Sequence, residues 1–171
     1  MMKLFEKFFL KRFSLIVGLI ALLVFQLSGG QALAVQISES ARTLTLNAKG
    51  DTIVLSEQQL AKGQRMFNKN CAQCHLDGVT KPNPDVSLDP QTLALATPPR
   101  NNIEGLVAYL HDPTTYDGFA SLEELHPSTK RPDLYPRMRN LTEEDLVTIA
   151  GHILAQPKIV GRMWASGKPG R

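Results

Sequence analysis

Cys71-Ala72-Gln73-Cys74-His75 is the stretch on which the reading of this chain turns. The 171 residues contain two cysteines, and both lie in it, three positions apart. A closely spaced pair in an exported protein can serve as a disulfide or as a redox motif. The residue that follows decides against both, because C-x-x-C-H is the attachment sequence for a c-type haem. The chemistry requires that spacing. Two thiols add to the two vinyl groups on one edge of the porphyrin, and the adjacent imidazole reaches the iron as its proximal ligand. A thioredoxin-like site needs a βαβ context that this sequence lacks. Cys71 and Cys74 are therefore expected to hold one haem c covalently, with His75 on the iron. A large apolar plate also helps a short chain complete its core, since small domains bury modest areas on their own.

Working outward from the motif, the segment before it reads as a helix over residues 57–70. Ser56 is placed to cap it, with Gln59 completing a capping box. Leu60, Phe67 and Cys71 share a face, and Gly63 lies on it too. Glycine is costly inside a helix, so a second backbone is expected to approach there. Upstream, Thr43–Leu46 and Thr52–Leu55 read as two short strands around a turn containing Gly50. Downstream, residues 81–100 form a loop punctuated by Pro82, Pro84, Pro90, Pro98 and Pro99, with one helical turn at 92–96. Asn101 or Asn102 caps the next helix, whose apolar stripe is Ile103, Leu106, Val107 and Leu110. Residues 112–140 form a second long loop, and a loop of that length in a small domain is usually functional. It is placed to cover the far face of the haem. The last helix begins at Thr142, carries Glu143, Glu144 and Asp145 at its positive end, and is expected to stop at Pro157. A helix before the motif, a helix at the end and loops between them make the class I cytochrome c plan. The expected fold is thus mainly α, wrapped around one haem, with a small N-terminal β-hairpin.

The first 34 residues read as a signal peptide. Lys3, Lys7, Lys11 and Arg12 precede an apolar run from Phe13 to Leu27, and Ala32-Leu33-Ala34 supplies the small-x-small cleavage pattern. The run is short for a membrane span, which needs about 20 residues, and Ser28-Gly29-Gly30 breaks it. The mature domain is expected to occupy residues 35–171. Its charge is balanced, with fifteen basic and fifteen acidic residues. The basic character of the full chain therefore resides in the leader and gives no support to a nucleic-acid partner.

The sixth iron ligand decides function, because it sets both potential and access to the metal. Met66 sits too near the motif, and Met163 lies in a Gly-rich tail. His111 ends a helix, where a cation suits the dipole, and His152 reads as a packing residue of the last helix. Two candidates stay open. Met138 occupies the usual class I place just before the last helix. His126 lies in an irregular loop that needs no histidine, with Pro127 holding it extended.

Three stretches resemble the cytochrome c-550 family, the extrinsic haem subunits on the lumenal side of photosystem II. They are residues 92–118 (TLALATPPRNNIEGLVAYLHDPTTYDG), His126-Pro127-Ser128, and residues 136–154 (PRMRNLTEEDLVTIAGHIL). The resemblance covers almost the whole mature chain. It implies bis-histidine ligation by His75 and His126 and a low potential, with Met138 a neighbour of the haem rather than its ligand. It further implies a thylakoid-lumen protein that binds intrinsic and extrinsic photosystem II subunits peripherally. Its role there is to stabilise the manganese-calcium cluster and its chloride and calcium requirement, without enzymatic activity. The competing reading is a soluble electron carrier with His75/Met138 ligation. A peroxidase is a third, and it needs an open iron position that two histidines close. The family's chains tend to end in aromatic residues, whereas this one ends Gly167-Lys168-Pro169-Gly170-Arg171.

Overall fold

The structure, a computed structural model, describes residues 17–18 and 36–166. The chain divides into Met1–Val35 and Gln36–Arg171, and the fold below is that of the second unit. Apart from residues 17–18, the expected signal peptide lies outside the described residues, as does the unusual C-terminus at 167–171.

A short helix α1 (Glu39–Arg42) leads into β1 (Thr43–Thr45), which pairs antiparallel with β2 (Thr52–Val54) in the register Leu44↔Ile53. The turn between them is held by Asn47, whose side-chain oxygen accepts from the Lys49 and Asp51 amides. Ser56 and Gln59 then form the capping box expected for α2 (Glu57–Asn70). A single helical turn, α3 (Ala72–His75), follows at once. The proline-punctuated stretch 81–100 contains α4 (Pro90–Leu95), longer than the one turn read at 92–96. Asp89 is the reason: its carboxylate accepts from the Gln91 and Thr92 amides, and Pro90 at the first helical position forgoes no hydrogen bond. Asn102, rather than Asn101, caps α5 (Ile103–His111).

Thr142 caps α6 (Glu143–Ile159), with Asp145 closing a second capping box. This helix runs through Pro157 instead of stopping there. In the last turn a proline removes one amide donor and leaves the helix only two residues to complete, so the usual penalty is small in scope. Lys158 also ties the end down, donating from Nζ to the Thr43 carbonyl at 2.5 Å.

The central contact is α2 against α6, with α5 packed on the other side of α6. Gly63 makes it possible. A methyl group at Gly63 would lie 2.7 Å from the Thr148 carbonyl carbon and 3.1 Å from His152 Cβ, and closer still to the Thr148 oxygen. Two backbones therefore touch there, as the glycine on the buried stripe implied. Leu60, Phe67, Leu146, Ile149 and Ile153 surround the crossing in one core with Leu106, Leu110 and Met138. Lys62 bridges its rim to Asp145 at 2.8 Å and Glu144 at 3.3 Å. The mainly helical, class I cytochrome-like plan with an N-terminal hairpin is the one the chain adopts.

Candidate haem site

The motif lies where α2 ends. Cys71 closes that helix with its amide donating to the Phe67 carbonyl at 2.7 Å, and the His75 amide returns to the Cys71 carbonyl at 2.9 Å. Cys71 and Cys74 are thus neighbours at i and i+3 on one helical turn. The two do not form a disulfide. Burial, assisted by Cys74, pushes the Cys71 thiol up to about 12, which keeps it protonated and unsuited to thiolate redox work.

The chain then turns sharply. Asp77 and Gly78 both adopt left-handed backbone (φ 53 and 82°). Gly78 is needed twice over, because a methyl group there would lie 2.6 Å from the Trp164 ring. Trp164 itself is buried, stacks near Phe67 and His152, and donates from its indole to the Leu88 carbonyl at 2.9 Å. Its role is packing: it pins the chain just after His75.

His126 lies opposite His75, with ring centroids 6.0 Å apart and planes inclined by 55°. Two imidazoles sharing one metal atom need about 6 Å between centroids, given metal–nitrogen bonds of about 2.0–2.1 Å and about 1.1 Å from each nitrogen to its ring centre. Among the described residues no three His, Cys, Asp or Glu side chains converge as a metal-holding cluster. A facing pair of imidazoles without further protein ligands suits a metal whose remaining positions are filled by a macrocycle. The residues fit a haem.

The outer nitrogens are already engaged. His126 Nδ1 donates to the Pro127 carbonyl at 3.0 Å, so its tautomer leaves the Nε2 lone pair available. His75 Nδ1 lies 3.1 Å from Thr80 Oγ1, which can accept in the same way. Burial lowers the pKa of both histidines, that of His126 to about 4 with the nearby His75 adding to the effect. Both are neutral imidazoles at neutral pH, the form that binds metal.

The loop carrying His126 is tied back to α5 on both flanks. The Leu122 amide donates to Pro113 O at 2.7 Å, and the Thr129 amide to Leu110 O at 3.1 Å. Lys130 joins Asp112 and Glu123, each at 3.0 Å. His111 links the loop to α6, with Nδ1 2.6 Å from Thr129 Oγ1 and Nε2 2.9 Å from Glu143. Met138 is 2% exposed, in the 3₁₀ turn Pro136–Met138, as part of the core. His152 is buried against Phe67 and Trp164, with its pKa lowered to about 4 by burial. Two surface clefts among the described residues, of about 320 and 230 Å³, are lined by none of Cys71, Cys74, His75 and His126.

Two residues beside His126 escaped the sequence reading. Tyr109 meets its ring edge-on at 4.9 Å, and Arg100 lies over the Tyr109 ring at 4.0 Å. Tyr109 lies beside the apolar stripe of α5 and Arg100 just ahead of that helix, and neither position carries a motif that would single it out.

Comparison with known proteins gives concordant matches. A family model described as the cytochrome c-550 domain matches residues 35–170. The photosystem II extrinsic protein V of Nostoc punctiforme is 60% identical over 147 residues, spanning 86% of this chain and 90% of that one. The crystal structure of cytochrome c549 is 57% identical and superposes with a TM-score of 0.73 over 75% of this chain and 99% of that one. The PsbV2 cytochrome of Thermosynechococcus elongatus is 37% identical, with a TM-score of 0.59 over 68% of this chain and 82% of that one.

Proposed function

The chain belongs to the cytochrome c-550 family, and from that membership we propose that it carries one haem c and serves as the extrinsic cytochrome on the lumenal side of photosystem II. It is a non-catalytic, electron-transfer or structural subunit, as its family is. Cys71 and Cys74 hold the haem by thioether bonds, and His75 and His126 are its axial ligands. The observation carrying the ligand set is the 6.0 Å pairing of the two imidazoles, each with its outer nitrogen engaged.

When bound, the haem supplies one-electron exchange between ferric and ferrous iron. The chain decides how that exchange is biased. Two imidazoles close both axial positions, and histidine in place of methionine lowers the potential. The acceptors at Thr80 and Pro127 make each imidazole a stronger donor, which favours ferric iron further. A closed, low-potential site suits a subunit whose haem organises the core better than it suits a mobile carrier with His75/Met138 ligation.

In this reading the leader 1–34 delivers the domain 35–171 to the thylakoid lumen. There the protein binds intrinsic and extrinsic photosystem II subunits peripherally. It stabilises the manganese-calcium cluster and its chloride and calcium requirement. The greater identity to extrinsic protein V (60%) than to the PsbV2 cytochrome (37%) favours the main subunit over that paralogue. Two experiments test the proposal. Low-temperature EPR of the oxidised holoprotein distinguishes bis-His from His/Met ligation. Holoprotein added to photosystem II particles stripped of their extrinsic cytochrome is expected to bind and to restore oxygen evolution at low chloride and calcium; failure to bind refutes the assignment.

A further inference from the structure

Arg100 stands immediately ahead of α5 and is 7% exposed. A buried charge is expensive unless it is paired. Here Nη2 donates to the Thr114 carbonyl at 3.0 Å, the Thr114 hydroxyl at 3.3 Å and the Thr115 carbonyl at 2.8 Å. All three acceptors are neutral. No carboxylate among the described residues forms an ion pair with the guanidinium, and the titratable side chains that face it are the phenols of Tyr109 and Tyr116 and the imidazole of His126. An arginine keeps its charge at any accessible pH, so the fold holds a positive charge inside the domain on neutral protein oxygens. Packing alone would be met by an apolar side chain of similar length.

The position of that charge suggests its use. The guanidinium carbon lies 4.0 Å from the centre of the Tyr109 ring, within cation–π range. Tyr109 in turn meets His126 edge-on, with centroids 4.9 Å apart and planes at 62°. The succession is rigid at each step: three oxygens fix the guanidinium, the guanidinium fixes the phenol, and the phenol edge limits rotation of the imidazole. The same contacts keep the charge no more than about 9 Å from the His126 ring centre. At that range, with an effective dielectric constant of about 20, a unit charge shifts an equilibrium by about tenfold.

We infer that Arg100 is a positioning residue for the distal ligand, which acts through Tyr109 to set the rotation of the His126 imidazole and whose buried charge favours the ferrous state. The inference rests on the reading that His126 ligates the haem iron. It adds a counterweight to that site: two histidines draw the potential down, and a buried cation holds part of it up.

The test compares holoproteins of the unaltered chain, Arg100→Gln, Arg100→Lys and Tyr109→Leu by redox titration and low-temperature EPR. Arg100→Gln removes the charge and is expected to raise the ferric-to-ferrous ratio at the unaltered midpoint about tenfold, a fall of about 59 mV for one electron. Arg100→Lys keeps the charge and is expected to stay within threefold. Tyr109→Leu keeps Arg100 but removes the ring edge. It is expected to shift the g values of the low-spin ferric signal, with a smaller change in potential than Arg100→Gln. Equal potentials for Arg100→Gln and Arg100→Lys, or an EPR spectrum unchanged by Tyr109→Leu, overturn the inference. Should Arg100→Gln not accumulate as holoprotein, the Tyr109→Leu spectrum decides alone. A failure of the ligand reading looks different, because the unaltered protein itself then lacks the bis-His signal.

Discussion

Gly63→Ala tests the helix crossing on which the site is built, and opposing effects give the result a definite sign. In an isolated helix the exchange is stabilising, because alanine is favoured over glycine by about 0.8–1.0 kcal/mol. In this fold the new methyl carbon would stand 2.7 Å from the Thr148 carbonyl carbon. Carbon atoms in contact prefer about 3.5–4.0 Å, so the helices must part by about 1 Å. The obstacle is backbone, and no change of rotamer relieves it. A gap of 0.5–1 Å forfeits roughly a quarter to a half of each dispersion contact across it. Leu60, Phe67, Ile149 and Ile153 line that seam, and full burial of such a side chain is worth about 1.5–3 kcal/mol. Losing a third of that for four residues costs about 2–4 kcal/mol, in line with overpacking of other cores.

Subtracting the helix-propensity gain leaves a net loss of about 1–3 kcal/mol. For a domain of this size each kcal/mol moves the midpoint by about 3–5 °C, so thermal unfolding of the holoprotein, followed by far-UV circular dichroism and Soret absorbance, is expected roughly 3–15 °C lower. Gln64→Ala, on the exposed face of the same helix, serves as the control and should be nearly neutral. A Gly63→Ala midpoint equal to or above that of the unaltered protein would refute the backbone contact, since propensity alone predicts a rise.

Other perturbations reach the site itself. His126→Met is expected to leave the haem attached while raising the potential, by at least about 120 mV for a hundredfold shift at about 59 mV per decade; an unchanged spectrum and midpoint in a redox titration sink the assignment. Thr80→Val removes the acceptor 3.1 Å from His75 Nδ1, weakens the proximal imidazole as a donor, and should raise the potential severalfold less than His126→Met by the same titration. His152 has its folded-state pKa depressed to about 4, against about 6.5 when unfolded. The unfolded chain therefore takes up the proton first as pH falls, so stability is fully present above about pH 6.5 and lost progressively down to about 4. Urea unfolding at pH 7.5 and 4.5 should show His152→Gln losing about 2–3 kcal/mol less than the unaltered protein; parallel losses in both proteins count against a buried neutral histidine.

Much of the fold was legible because its signals are local. Ser56 and Gln59 announce a helix start wherever they occur, and the seven-residue span from Leu60 to Phe67 shows its buried face by spacing alone. Gly63 announced a close approach by its cost, though not the partner, Thr148, which lies 85 positions away. The errors at Pro90 and Pro157 share a cause. Proline was read as a breaker, yet it is harmless at the first turn of α4 and tolerable in the last turn of α6.

The site was legible on its proximal side and ambiguous on its distal one, for a physical reason. Attachment chemistry fixes Cys71, Cys74 and His75 within five consecutive residues, whereas an axial ligand from the opposite side needs only to arrive at the right point in space. His126 is placed by ties that no local pattern encodes: Leu122 and Thr129 bond back to Pro113 and Leu110 where the loop begins, and His111 and Lys130 clasp it across 18 residues each. Spacing therefore could not separate His126 from Met138, which sits equally well before the last helix but turns into the core. The same argument explains why Arg100 was invisible. A charge beside an apolar helix reads as solvated until the fold shows it buried and held by neutral backbone oxygens. Where a domain is assembled around a group that the sequence announces at one edge only, the residues that tune that group are those whose cost makes sense only in three dimensions.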